Sequence, residues 1–171
     1  MCMNSNIYLS PHFSLSEFTA SATARKYGIV NEAPDEAVEN LRRLCYGTLE
    51  PLRNALGLPI IITSGYRTKT LNDKLSRSSK HSQHMQGQAA DFHLSQTLMS
   101  RILCISRRKQ LIKAFRRIIL DESIDYDQLI IYPSFIHVSY VSRSRNRHNI
   151  MLGMRNGKFS ALTRDAALSL I

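Results

Sequence analysis

Apolar residues at Ala37, Leu41, Leu44, Cys45, Leu49 and Leu52 recur at the three- and four-residue spacing of one helix face. Pro34-Asp35 opens this stretch and Gly57 closes it, as start and stop signals do. Pro51 inside it predicts a kink or a division. Upstream, Ser14 stands three residues before Glu17, the spacing of a capping box, and predicts a short helix. Ile60 to Thr63 is a short apolar run ending in a turn at Gly65, which predicts a strand. "TLNDKLSRSSKHS" predicts a short helix and a polar loop. "GQAADFHLS" predicts a strand with Ala90 and Phe92 flanking Asp91. "LMSRILCISRRKQLIKAFRRIIL" is helical as one segment or two. Gln128–Tyr132 and Phe135–Val141 are strand-like on either side of Pro133-Ser134, a hairpin pattern. Asn156-Gly157 signals a further hairpin. Helices come first and strands mostly later, which favours an α+β fold over a doubly wound parallel sheet.

Length and composition narrow the class. The chain has 171 residues, enough for one domain with its own core. It is 43% hydrophobic and 21% charged, ordinary for a soluble globular protein. No segment approaches the roughly 20 apolar residues of a membrane span. The opening "MCMNSNIYLSPHFSLSEF" has no basic region followed by an apolar run, so a chain made in the cytoplasm without a recognisable signal peptide is expected. Cys2, Cys45 and Cys104 are far apart and read as reduced thiols, Cys45 and Cys104 as small buried ones. The net charge of +10, much of it in "SRRKQLIKAFRR" and "SRSRNRH", suits either solvated faces or a surface that meets a polyanion. With 8% aromatics and no basic–aromatic motif, a specific nucleic-acid partner is the weakest reading.

The chemistry concentrates in "SKHSQHMQGQAADFHL", which holds His81, His84, Asp91 and His93 around Gly87. Zinc takes imidazole, thiolate or carboxylate ligands, and a catalytic site keeps three plus water. The cysteines are badly placed, so histidine and carboxylate must serve. His84 and Asp91 are seven residues apart, unlike the helical H-E-x-x-H spacing. The interval suits a loop ligand followed by a strand ligand, with Gly87 letting the backbone turn. A buried carboxylate such as Asp91 is costly unless paired or metal-bound. His137, in "FIHVS", points off one face of a strand, where a lone histidine is more often a hydrogen-bonded residue than a ligand. Spacing alone does not rank His81, His84 and His93.

Ser82-x-His84-x-x-Gly87-x-Ala89-x-Asp91 resembles the S-x-H-x-x-G-x-A-x-D signature of the zinc D-Ala-D-Ala carboxypeptidase and L-alanyl-D-glutamate endolysin family of metallopeptidases (peptidase family M15, subfamily A). "TSGYR", "YDQLI…FIHVSY" and "FSLSEFTASATARKYGI" also look like this family, in the right order. The resemblance spans about Phe13 to Tyr140. It implies a hedgehog/DD-peptidase-like α+β fold, in which a small antiparallel sheet carries a zinc site and helices pack around it. It implies one Zn2+ per chain on His84, Asp91 and His137, Arg67 facing the substrate carbonyl or carboxylate, and Ser82 near the substrate. His81 and His93 fall outside the matched ligand positions.

The expected organisation is a tail over 1–12, a zinc peptidase-like domain over 13–141, and a basic extension with a hairpin over 142–171, packed on the same domain as a monomer. The expected function is a zinc peptidase cutting peptidoglycan stem peptides at a D-Ala-D-Ala end or within the stem, acting at the cell wall, for instance as a phage lysis enzyme. The alternative is a zinc-containing wall-binding domain without hydrolysis. One departure matters. Relatives commonly place a glutamate three to six residues before the last histidine, and Ile131, Tyr132, Pro133 and Ser134 offer no acid there. Asp127 is the nearest acid upstream and is taken as the general base, against a structural role at a strand start. Tyr132 is a possible O–H donor to an oxyanion.

Overall fold

The computed structural model describes residues 7–76, 78–96, 106–154, 156 and 158–170. The elements are β1 (Tyr8–Ser10), β2 (Phe13–Ser14), α1 (Leu15–Thr19), α2 (Ala22–Tyr27), α3 (Asp35–Leu44), a π segment (Cys45–Leu49), α4 (Glu50–Leu56), β3 (Ile60–Ser64), α5 (Lys69–Lys74), a short 3-10 helix (Gln83–Gln86), β4 (Ala89–Leu94), α6 (Arg107–Leu120), β5 (Gln128–Ile131), β6 (Ile136–Ser139), β7 (Asn149–Gly153), β8 (Phe159–Ala161) and α7 (Arg164–Leu168). Cys2, Cys104, Gly157 and the 97–105 part of the predicted helical run lie outside the described residues.

Local signals explain most of these elements. Glu17 accepts from both the Ser14 N–H (2.7 Å) and the Ser14 hydroxyl (2.9 Å), which starts α1. Ser106 caps α6 by accepting from the Lys109 N–H. Pro51 cannot donate to the carbonyl four residues back, that of Gly47. The chain absorbs this by widening into the π segment rather than dividing, and it stays helical to Leu56. The Gly47 carbonyl accepts instead from the Asp125 N–H (3.0 Å), and Thr48 Oγ1 donates to the Asp125 carbonyl. One proline therefore docks the loop that leads to Asp127.

The main sheet has six strands in the order β3-β4-β6-β5-β7-β8, and β1-β2 form a separate antiparallel pair. Neighbours run antiparallel except β5 and β7, which are parallel. The expected antiparallel sheet is corrected here to a larger, mixed one. The reason lies in residues 140–148. Arg147 and Asn149 donate main-chain N–H groups to Asp127, to its Oδ1 and its carbonyl (2.9 and 3.0 Å), so the chain returns to the start of β5 before β7 begins.

Alternation along the strands separates core from site. Phe92, Leu129, Ile131, Ile136 and Val138 are buried with Leu41, Leu44, Leu49 and Leu52 of the long helical stretch and Leu111, Phe115 and Ile118 of α6. Each such side chain contributes about 1.5–3 kcal/mol on burial, so this face fixes the register of the sheet. The positions between them, Asp91, Ile130 and His137, turn to the opposite face.

Candidate metal centre

Asp91 and His137 are direct cross-strand partners in β4 and β6. Their side chains therefore leave the sheet side by side. His84 reaches them from the 3-10 helix, which ends at Gly87 with φ +68°. A Cβ at Gly87 would also collide with the Ala37 carbonyl of α3, so glycine is required twice over. His84 Nδ1 donates to the Gly65 carbonyl (2.7 Å), and the Arg67 N–H donates to the His84 carbonyl (3.1 Å). Gly65 is pressed against Phe18 with no room for a Cβ. This reciprocal lock commits Nδ1 and turns Nε2 toward Asp91.

The donor atoms converge. His84 Nε2 lies 3.4 Å from Asp91 Oδ1, and His137 Nδ1 lies 2.8 Å from the same oxygen. Ligands about 2.0–2.1 Å from a tetrahedral zinc stand roughly 3.3 Å apart, so the spacing is close to what the ion needs. Among the described residues, His84, Asp91 and His137 form the one such group, with ligand atoms within 4.8 Å of one another. Two imidazoles and a carboxylate are a donor set suited to zinc. Asp91 Oδ2 accepts from Arg67 Nη2 (3.0 Å), which leaves Oδ1 for the cluster. Arg67 is itself braced by Ser64 Oγ, at 3.1 Å from Nε and 2.9 Å from Nη2.

Protonation favours ligation. Burial pushes the His84 imidazole below its ordinary pKa, against the pull of Asp91, so it is neutral at neutral pH. Burial pushes the Asp91 carboxyl up, but the facing His84 and the short contacts with the His137 and His84 rings outweigh it and hold it far below the usual carboxylate range. Deprotonated ligands are the form a metal binds.

The cluster lies on the wall of a cleft of about 1180 Å³. Ser82 and His81 line that cleft, as do Arg67 and Tyr132. His93 instead pairs with Ile61 of β3 and turns Nδ1 to the Leu94 carbonyl. Asp127 also lines the cleft, at 1% exposure. Its Oδ1 accepts from Arg147 N–H and Nε (2.9 Å each), and its Oδ2 from Arg147 Nη2, Gln83 Nε2 (2.9 Å) and Ser139 Oγ (3.3 Å). Burial pushes this carboxyl up, but the hydrogen bonds from Arg147 and Gln83 bring it down to about 2. A carboxylate so engaged is a weak proton acceptor at neutral pH. Among the described residues, Asp91 and Asp127 are the only carboxylates lining the cleft. Sequence reasoning missed Gln83 and Arg147. The one available signal was that Gln83 directly precedes His84, whereas Arg147 sits in a run that reads as surface charge.

An α+β fold that sets three residues able to hold a metal on the wall of a cleft has the arrangement a metalloenzyme needs. A family model for peptidase M15 matches residues 11–124, more than half of the chain, and the protein belongs to that family. The match takes in Arg67, His84 and Asp91 and ends before Asp127 and His137, so the place of His137 beside Asp91 rests on the β4–β6 register. No curated protein matches the chain. Among the described residues, no helix is long and apolar enough to cross a membrane.

Proposed function

We propose that this M15 peptidase hydrolyses peptide bonds in peptidoglycan stem peptides, with one zinc held by His84, Asp91 and His137. The observation that carries the reading is the convergence of three ligand atoms, within 4.8 Å of one another, at the wall of a peptide-sized cleft. A zinc ion there supplies Lewis-acid polarisation of a carbonyl and activation of water at neutral pH. Arg67 fixes Asp91 through Nη2 while its Nε–Nη2 edge holds Ser64, and its Nη1 offers donors to a substrate carbonyl or terminal carboxylate. Ser82 contacts the peptide from the cleft wall, and Tyr132 supplies an O–H to the developing oxyanion. We ascribe to Asp127 a positioning role rather than proton abstraction, because its oxygens are engaged. The scissile bond is a D-Ala-D-Ala end or a bond within the stem, and the site of action is the cell wall, as for a phage lysis enzyme.

The test is digestion of purified peptidoglycan by zinc-loaded protein, with and without chelator, read as product masses. New peptide fragments that vanish with chelator and return with zinc support the reading. A second reading, a zinc-containing wall-binding domain without hydrolysis, is favoured by the absence of an unengaged carboxylate among the described cleft residues. It predicts co-sedimentation with peptidoglycan and no fragments.

A further inference from the structure

Arg147 stands in the same cleft as the metal cluster and has no part in it. Its Nε and Nη2 edge is docked on Asp127, and Nη2 also lies 3.5 Å from Gln83 Oε1. Its side chain nevertheless remains 54% exposed, while that of Asp127 is 1% exposed. The carboxylate also has donors from Gln83, Ser139 and the Arg147 main chain. The exposed guanidinium is therefore more than is needed to satisfy Asp127. An arginine loses about 2 kcal/mol of rotamer entropy when fixed. Here the fork is already fixed, and among the described residues its Nη1 has no hydrogen-bond partner, so it can receive an anion at little further entropic cost.

The surroundings specify the anion. Arg67, Arg145 and Arg147 line the cleft against Asp91 and Asp127, an excess of one positive charge (3 − 2) before any metal charge is counted. At the other end of the same strands, Tyr132 and Phe135 stack at 4.5 Å, near Met154 and Phe159 on the cleft wall. The cleft is thus cationic at the Ser139 end of β6 and apolar at the Phe135 end, with His137 between. Ser139, which touches Asp127, is two residues from His137, about 7 Å along a strand. An extended peptide covers that distance in about two residues.

We propose that Arg147, positioned by Asp127, binds a free carboxylate of the substrate peptide about two residues from the scissile bond and so makes the cleft selective for acidic over amidated peptides. This rests on the reading that the cleft takes a peptide, and it names the chemistry of that peptide.

The experiment uses two synthetic stem peptides that differ only in one carboxylate, free in one and amidated in the other. Binding to the full chain is measured calorimetrically with zinc chelated, and cleavage is measured separately with zinc bound. Wild type should bind the acidic peptide tighter by about tenfold or more, the scale of a hydrogen bond to a charged group. Arg147→Gln should lose that preference while its affinity for the amidated peptide stays the same. Should Arg147→Gln fail to fold, Arg147→Lys, which keeps the charge and a donor for Asp127, should reduce the preference severalfold. Equal binding of the two peptides by wild type, no binding of either, or an undiminished preference in the folded variant overturns the proposal. The preference without cleavage upholds it and removes the hydrolase reading. Cleavage of both peptides without preference does the reverse.

Discussion

Asp91 and Asp127 line one cleft, and each is held well below the ordinary carboxylate pKa. They differ in what faces them. Asp91 gives Oδ1 to two imidazoles whose ring nitrogens could themselves hold a metal, and only Oδ2 to arginine. Asp127 gives both oxygens to permanent donors: Arg147, Gln83 and Ser139. An imidazole can exchange a carboxylate for a cation, because it is neutral and carries a lone pair. A guanidinium cannot, since it has no lone pair to offer and stays charged. Partner chemistry, rather than burial, makes Asp91 suited to a metal and Asp127 suited to holding a side chain in place.

The hardest way to break this comparison is to remove a ligand. His84→Ala should leave Asp91 with one imidazole and lose the zinc, with activity falling by more than the 10–100-fold typical when only a supporting partner is lost. Elemental analysis of protein purified without added metal checks it. A His84→Ala chain that retains zinc at one ion per chain would remove the assigned site.

The same contrast explains what could be read from the sequence. Gly87 and Asp91 follow His84 closely, so a loop-then-strand pattern was visible locally, and β4, α3 and α4 formed where the sequence pattern placed them. His137 lies 46 residues beyond Asp91, and nothing local encodes the register that pairs them; its place came from family resemblance. Arg147 was hidden for a related reason. Its run looks like solvated charge, and its partner is 20 residues back, across a loop whose course also produces the parallel β5–β7 pair. Pro51 was legible as a disturbance, but its outcome depended on the Asp125 loop that takes up the Gly47 carbonyl.

Arg67 sharpens the comparison because, among the described residues, it is the arginine that holds Asp91. Arg67→Lys keeps the charge but cannot serve Ser64 and Asp91 through a planar fork. Activity should fall by about 10–100-fold, the range for a partner that orients a ligand. Zinc content at saturating metal should stay at one per chain. Unchanged turnover would show that Asp91 needs no such support.

Asp127 tests the other half. Asp127→Asn should lower stability by about 2 kcal/mol, from loss of a buried charge-assisted pair whose arginine is half exposed. That corresponds to a fall in Tm of about 4–8 °C at this chain length, with zinc content unchanged. The pH dependence has a fixed sign. The folded pKa of about 2 lies below the unfolded value of about 3.9, so the stabilisation is fully present above roughly pH 5 and is lost as pH falls through 4 toward 2. Wild type should therefore lose more stability than Asp127→Asn between pH 6 and pH 3. Parallel acid profiles for the two proteins would deny Asp127 its role.

The smallest effect concerns charges outside both pairs. Arg107, Lys109 and Lys113 of α6 and Arg143 and Arg145 of the returning loop are exposed. Such charges act at a distance and are screened, over about 8 Å at physiological ionic strength and about 3 Å at 1 M. The Arg67–Asp91 and Arg147–Asp127 contacts are short and partly shielded from solvent, so salt should leave them in place. Binding to insoluble peptidoglycan should weaken with added salt, while zinc content and turnover of a small uncharged peptide hold steady. Co-sedimentation across a salt series measures the first, and a soluble peptide assay the second. Salt-independent sedimentation would leave these residues as solvated faces. A parallel loss of zinc would instead mean that the metal-side pair is less shielded than its geometry implies.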